Sequence, residues 1–591
     1  MQHLKYLYKF LWKHKLKLLV GTFFVLISNI FALYPAEFVR KAFDTILENT
    51  QNINNSSSDT NPISSSNKII LKYTSLILLF SVLKGIFMFF MRQTIIVVSR
   101  YIEFDLKNEI YKKYQQLNLE FYKKNKTGDL MNRISEDVSK VRMAVGPGLM
   151  YTINITTLFF LVINRMLDIN SKLTLFTLIP FPLLAISIYY VSNKINVRSE
   201  KAQKQLSKIT AITQESYSGI EIIKSFNQQK NILKNFVNEC KKYTKKQIDL
   251  IEIEAFFFPL IIVLIGSSTL ITIYIGGLES FKNNISTGNI AEFIIYINML
   301  AWPIASIGWI TSLLQRASAS QERINKFLKI KPKIYQNNIK KTFIKGNIKF
   351  KDVSLTYNDT NIKALKCINL EIQEGKTLGV FGKTGSGKTT LLDLITRLYD
   401  TTSGKILIDN IDIKKINLSS LRSYIGYVPQ DGYLFSGTIK DNIIFSSDNY
   451  NYDKMVAAAK YAEILDEINS FKDGFNTIVG ERGVQLSGGQ KQRLSIARVF
   501  YKNPSMYIFD DCLSAIDKQK SKNILINLNK KMKSKTSIIV SHKISSLEKL
   551  DNIIVLKEGE IIQKGSHKAL INTKGYYKEV FIKQTSNLEN I

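Results

Sequence analysis

"KTLGVFGKTGSGKTTLLDLITRLYD", residues 376–400, decides the reading of half of this chain. An apolar run ends in a glycine-rich turn, and a helical pattern begins at once. That is the strand, loop and helix context a phosphate-binding loop requires. Gly382, Gly385 and Gly387 allow backbone N–H groups to turn inward around phosphates, and the helix N-terminus adds its partial positive charge. Lys388 has the reach for β and γ phosphates, and the Thr389 hydroxyl is a magnesium ligand of the right kind. The whole loop, with Lys383, Thr384, Ser386 and Thr390, is the expected ATP-binding segment.

Further along, "MYIFDDCLSAID", residues 506–517, is a second apolar run and ends on Asp510 and Asp511. A buried strand avoids closing on two charges unless they hold something. Beside a phosphate loop, Asp510 at the strand end can hold Mg²⁺ through water, and Asp511 would face the γ-phosphate and the attacking water.

The chain has 591 residues, too many for one ordinary core, so at least two domains are expected. Its formal net charge of +33 would suit a nucleic-acid binder if the lysines lay along one face. They lie between hydrophobic blocks instead, and no nucleic-acid partner is expected. Cys240, Cys367 and Cys512 are widely spaced with no CxxC, which offers neither a metal site nor a disulfide framework.

Crossing a bilayer takes about 20 mostly apolar residues. Six segments qualify, roughly 16–35, 70–98, 148–167, 172–191, 256–276 and 289–312. Ahead of them, "MQHLKYLYKFLWKHK" places Leu4, Leu7, Tyr8 and Leu11 on one helical face, as in an interfacial helix. A cleaved signal peptide is the competing reading, but no small-x-small site follows. Lys and Arg crowd the N-terminus and the connections around 100–145 and 192–255, which places these regions in the cytoplasm. Both connections keep helical periodicity with almost no Gly or Pro, so the spans are expected to continue as long cytoplasmic helices. The expected division is a membrane domain over 1–330, a Lys-rich linker over 331–345 and a nucleotide-binding domain over 346–591.

Lys84 falls near the middle of the second span, with Arg92 two turns later. An ammonium at that depth costs several kcal/mol unless paired or hydrated, so Lys84 is a candidate substrate contact. A structural ion pair is the alternative, and for Arg92 so is snorkelling. Trp302 and Trp309, beside a kink expected at Pro303, suit either a hydrophobic pocket or helix packing.

The order of "GKTGSGKT", "VPQD", "LSGGQKQR", "MYIFDD", "LSAID" and "SHK" resembles the nucleotide-binding domain of the ATP-binding cassette (ABC) superfamily. With six spans on the same chain, the whole sequence is similar to an ABC exporter half-transporter. The resemblance implies an all-α six-helix membrane domain followed by an α/β P-loop domain with a helical subdomain, and a dimer that sandwiches two ATP molecules. Tyr357 matches the aromatic that stacks on adenine, and Gln430 the residue that senses Mg²⁺ alongside Thr389 and Asp510. Ser487, Gly488, Gly489 and Gln490 match the signature that meets the partner's ATP; Asp517 matches the dimer-contacting aspartate. His542 matches the switch histidine on the γ-phosphate. "LNLEFYKKN" and "ESYSGIEIIKSF" resemble cytoplasmic coupling helices, and "TIVGERG" at 477–483 the loop that meets them.

One departure matters: the family's usual residue after the strand aspartate is Glu, and this chain has Asp511. Its carboxylate is one methylene shorter, which impairs a base that must come within about 3 Å of its water. The implied protein is an ATP-driven exporter of drugs or lipids in the cytoplasmic (inner) membrane, heterodimeric, with a weakly hydrolytic site of its own. A homodimeric lipid flippase and an ATP-gated regulator or channel are the alternatives.

Overall fold

A computed structural model describes residues 2–55, 62–335, 341–447, 449–480, 483 and 486–589. The chain divides into two compact units, one of residues 1–114 and 128–330, the other of residues 115–127 and 331–591.

In the first unit, six helices among the described residues are long and apolar enough to cross a membrane. They are Lys15–Glu48, Lys68–Gln116, Thr127–Ile169, Ser171–Ser218, Gln229–Phe281 and Thr287–Leu328, and each contains one of the six apolar segments. Leu, Ile and Phe runs without Gly clusters favour helix, and in lipid a helix is the structure that satisfies its own backbone. Pro35, Pro259 and Pro303 lie inside these helices without ending them. The fifth span has 53 residues, or about 80 Å at the usual rise, far more than a hydrocarbon core of about 30 Å. The third is not a plain α-helix: five-residue π turns occupy Arg133–Asp137 and Ala144–Gly148, the second containing Pro147.

The spans pack through a core of Leu33, Val162, Met166, Leu184, Phe293, Tyr296 and Leu300. Buried polar groups are matched across helices. Asn29 Nδ2 donates to the Asn154 carbonyl at 3.1 Å, the Thr177 and Thr272 hydroxyls meet at 2.9 Å, and Arg40 pairs with Glu292 at 3.0 Å. The N-terminal segment departs from an even helical period. Gln2–Leu7 forms a tighter 3₁₀ turn before a short helix Tyr8–Lys13. With three residues per turn the buried face shifts, so Leu7 and Phe10 are buried while Tyr8 is exposed.

Among the described residues, the second unit carries twelve strands: β1 (Ile348–Thr356), β2 (Lys363–Ile372), β3 (Thr377–Gly382), β4 (Ser403–Ile408), β5 (Ile411–Asp412), β6 (Ile425–Val428), β7 (Gly437–Thr438), β8 (Ile478–Val479), β9 (Met506–Asp510), β10 (Thr536–Val540), β11 (Asn552–Lys557) and β12 (Glu560–Gly565). A six-stranded sheet runs β12-β11-β3-β10-β9-β6, parallel except for β12. β9 and β10 are buried along their whole length, as strands covered on both faces must be. A smaller antiparallel sheet, β2-β1-β4-β5, packs beside it over Phe350, Leu370, Leu391 and Ile406. Helices between Ile439 and Lys502 pack together over Met455, Ala459, Leu494 and Phe500. A short helix, Leu119–Lys124, belongs to this unit too, with Leu119 against the core of the smaller sheet. Ile220–Ser225 forms a similar short helix in the first unit.

The candidate nucleotide site

Four neighbouring parallel strands, β3, β10, β9 and β6, end at the residues singled out from sequence. In a parallel sheet the C-terminal strand ends form the usual ligand crevice. β3 runs into the glycine-rich loop, β10 is followed by His542, β9 ends on Asp510, and β6 is followed by Gln430. The register places Val380, Val540 and Asp510 side by side.

The loop Gly382–Gly387 leads into the helix Lys388–Ile395. Gly387 sits at φ +99°, and a Cβ there would meet the Ala364 carbonyl at 2.5 Å, so the loop closes only with glycine. Lys383, Thr384, Gly385 and Thr389 are exposed, and Ser386, Lys388 and Thr390 are buried. The Lys388 ammonium donates to the carbonyls of Gly382 at 2.9 Å and Lys383 at 2.8 Å. Burial pushes this ammonium below its usual pKa, against the opposing pull of Asp511 and Asp510. The buried Ser386 hydroxyl oxygen and Asp510 Oδ2 have no hydrogen-bond partner within the protein.

Asp510 is almost fully buried, and burial pushes its carboxyl up while a hydrogen bond from Thr389 works against this. Asp511 follows at φ +44°, its N–H donating to the Val540 carbonyl at 3.1 Å. This turns its carboxylate away from the line of β9, and His542 Nε2 lies 3.9 Å from Asp511 Oδ2. Gln430 is exposed, and its backbone carbonyl accepts from Gln492 Nε2 at 3.1 Å.

Tyr357 follows β1. Its hydroxyl meets the Thr390 hydroxyl at 3.0 Å, and its ring stands edge-on to Tyr399 at 5.2 Å. Lys123, on the short helix of residues 119–124, holds its ammonium 5.6 Å from the Tyr357 ring centre and 5.2 Å from that of Tyr399. A cavity of about 240 Å³ opens beside these rings, also lined by Glu120, Lys333 and Thr402. Beneath, Asp393 is buried and its carboxyl is pushed up to about 6 by desolvation, with Lys123 pulling the other way. Lys123, Tyr399 and Asp393 escaped the sequence reading, because only the fold brings Lys123 to the rings.

Ser487 caps the helix Gly488–Lys502 in a reciprocal box: its hydroxyl accepts from the Gln490 N–H at 3.3 Å, and Gln490 Oε1 accepts from the Ser487 N–H at 2.8 Å. Gln490 Nε2 donates to Glu467 at 3.0 Å, so its side chain is engaged within the chain. Ser487 and Gly488 are exposed at the helix start. Asp517 likewise caps the helix Lys518–Met532, accepting from the Lys520 N–H at 2.9 Å. Among the described residues, no hydrogen bond joins Ser487–Gln490 to the loop 382–390. Of the segment 477–483, Glu481 and Arg482 lie outside the described residues. Lys84 belongs to the membrane unit.

The family description "ABC transporter transmembrane region" matches residues 18–304, and "ABC transporter" matches residues 365–514. The multidrug resistance-like ATP-binding protein MdlA of Buchnera aphidicola (Schizaphis graminum) is 37% identical over 524 residues, 88% of this chain and 90% of that protein. MdlA of Escherichia coli is 33% identical over 513 residues, 87% of each chain. An ATP-dependent lipid A-core flippase of Syntrophus aciditrophicus is 31% identical over 520 residues, 87% of this chain and 86% of that one. A bacterial Atm1-family ABC exporter solved with ATP bound shares the fold at a TM-score of 0.79 and 22% identity, covering 96% of this chain and 98% of that one. A multi-pass membrane unit, a phosphate loop at the end of β3 and these likenesses have one conclusion: the chain belongs to the ABC transporter family, as an exporter-type half-transporter that couples ATP hydrolysis to transport.

Proposed function

We propose that this chain is the weakly hydrolytic half of a heterodimeric exporter that moves hydrophobic or amphipathic molecules out across the cytoplasmic membrane. The carrying observation is the convergence of the loop 382–390, Asp510, Asp511, His542 and Gln430 at the ends of four adjacent strands, with Asp511 where a glutamate base would stand. The loop N–H groups and Lys388 bind the phosphates, leaving the two carbonyls that now hold its ammonium. Tyr357 carries adenine. Thr389, Gln430 and Asp510 offer hard oxygens, and the partnerless Asp510 Oδ2 suits Mg²⁺, which when bound neutralises charge on the phosphates. His542 donates to the γ-phosphate, and Asp511 holds the attacking water poorly.

Ser487, Gly488 and Gly489 open a 15-residue helix whose free N–H groups serve the ATP of a second subunit. Asp517 faces that subunit. The basic connections and the ATP site lie on the cytoplasmic side, following the distribution of Lys and Arg. The likeness to MdlA proteins and to a lipid A-core flippase supports a drug or lipid substrate. Asp511 also favours a second reading, in which ATP binding alone gates the protein.

The test is vanadate-sensitive ATP turnover in proteoliposomes, alone and with partners carrying Glu after the strand aspartate. Slow turnover alone and fast turnover in a pairing is the expected result. Tight ATP binding with no vanadate-sensitive turnover in any pairing would leave the gating reading.

A further inference from the structure

A cavity of about 430 Å³ lies among the first, second, third and sixth spans. Lys84 and Arg92 both line it, with the amides of Asn154 and Asn298 and the apolar groups of Met88 and Trp302. The two cations are eight residues apart on one helix, so about 12 Å along its axis and on nearly the same face, with Met88 one turn from each.

Among the described residues, no carboxylate lines this cavity with the two cations. Four carboxylates of the membrane spans are engaged elsewhere: Glu292 with Arg40, Glu279 with Lys172, Glu37 with Lys41, and Asp137 with Arg323. Among the described residues no ion pair reaches Lys84 or Arg92, and the carbonyl of Lys84 is engaged by Ser28 at 3.3 Å. Lys84 and Arg92 are exposed in the single chain, and on membrane helices beside methionine and indole two unpaired cations are costly unless water or an anion reaches them. The amides add neutral hydrogen-bonding capacity, and the thioethers and rings fit a flexible hydrocarbon body.

We infer that this cavity binds an amphipathic anion, with its phosphate or carboxylate head against Lys84 or Arg92 and its apolar body along Met88 and Trp302. The inference rests on the export reading and narrows its substrate class. A cationic drug would meet like charge at both levels, and a small free anion would leave the apolar wall unused.

The test uses the full-length protein, in the assembly in which it purifies, in phosphatidylcholine nanodiscs. Brominated lysophosphatidic acid is titrated while tryptophan fluorescence is followed, with brominated lysophosphatidylcholine and tetraphenylphosphonium as neutral-head and cationic comparisons. Lysophosphatidic acid is expected to bind about tenfold more tightly than either, and Trp302→Phe to reduce the saturable quenching by the share Trp302 carries, Trp12 and Trp309 supplying the rest. Lys84→Gln and Arg92→Gln should each weaken its binding about three- to tenfold and leave lysophosphatidylcholine unchanged, with ATP binding and thermal unfolding as folding controls. Inorganic phosphate at millimolar concentration should not compete. Equal affinity for the three amphiphiles, silent Lys84 and Arg92 variants in folded protein, saturable quenching undiminished by Trp302→Phe, or displacement by inorganic phosphate would each overturn the inference. ATP turnover measured on the same nanodiscs reports separately on the export reading.

Discussion

His542 Nε2 and Asp511 Oδ2 stand 3.9 Å apart, an imidazole and a carboxylate facing one another across the end of β9. The contact exists because Asp511 adopts φ +44°, a left-handed conformation that Asp tolerates through its short polar side chain. Restoring the longer base is therefore informative. Asp511→Glu is expected to raise vanadate-sensitive turnover about ten- to a hundredfold, the range set by a 1 Å improvement in water positioning. Asp511→Asn should remove the remaining activity, and His542→Ala should lower turnover with ATP still bound. An Asp511→Glu variant no faster than the parent chain would show that Asp511 does not limit hydrolysis.

Lys388 supplies the second prediction. Its buried ammonium is held by the carbonyls of Gly382 and Lys383, so it is poised at the loop and shielded from water. Lys388→Ala should weaken ATP binding at least about tenfold, since a charge-assisted contact to phosphate is lost, and bring turnover to background. Lys388→Arg should not rescue, because the guanidinium is planar and larger than the space an ammonium leaves. Nucleotide binding by equilibrium dialysis checks both, and unaltered binding by Lys388→Ala would contradict the site.

Lys123 lies over the edge-on pair Tyr357 and Tyr399, where cation–π attraction helps hold Tyr357 against Thr390. Such a contact is worth about 0.5–1 kcal/mol at a half-exposed site, so Lys123→Gln should weaken ATP affinity about two- to fivefold. Lys123→Arg, which stacks well on rings, should restore it. If Lys123→Gln leaves affinity unchanged while Tyr357→Ala lowers it, the ammonium plays no part in holding the ring.

Hydropathy and motif spacing make the plan of this molecule readable before any coordinates. Each of the six apolar segments falls within one membrane-length helix, and the loop 382–390 stands between strand and helix as its glycines require. What sequence leaves hidden are contacts made only by the fold. Lys123 reads as one more lysine of a basic connection until residues 115–127 join the nucleotide-binding unit. Ser487 and Gln490 read as a ligand motif, but their side chains also close a capping box, a use that "SGGQ" carries in its spacing and that goes unnoticed beside the stronger motif. The π turns around Pro147 have no periodic signature, because each inserts only a single residue into an otherwise regular helix.

Buried Glu292 pairs with the partly exposed Arg40 at 3.0 Å, joining the first and sixth spans, and the Tyr296 hydroxyl donates to the same carboxylate at 2.8 Å. Glu292→Ala should destabilise the membrane unit by about 1–3 kcal/mol, since it leaves the buried Tyr296 phenol without its acceptor and the partly exposed Arg40 without its counter-charge. The double variant Arg40→Met with Glu292→Leu should recover most of that loss, because it removes both charges and refills the space. Thermal unfolding in one detergent decides the matter, and a double variant as unstable as the single one would mean that packing, rather than the unpaired charge, dominates.

Asp393 makes the stability of the nucleotide-binding unit depend on pH. Its carboxyl is pushed from an ordinary 3.8 to about 6, first by burial, with Lys123 acting the other way. A raised folded-state pKa means that the folded protein holds this proton more tightly than the unfolded chain. The stabilisation is therefore complete below about 3.8 and is lost as pH rises through about 6. The full swing amounts to about 3 kcal/mol, most of it between about pH 4 and pH 6. Asp393→Asn keeps the shape and removes the proton equilibrium. In nucleotide-free protein the variant should match the parent below about pH 3.8 and unfold at a higher temperature at pH 7.5, with the gap opening between about pH 4 and pH 6. Lys123→Gln should extend that window to higher pH and widen the gap at pH 7.5, since the nearby cation no longer favours the ionised carboxylate and its burial becomes more costly at neutral pH. Parallel unfolding curves for parent and Asp393→Asn at every pH would show that the carboxyl titrates normally in the folded unit.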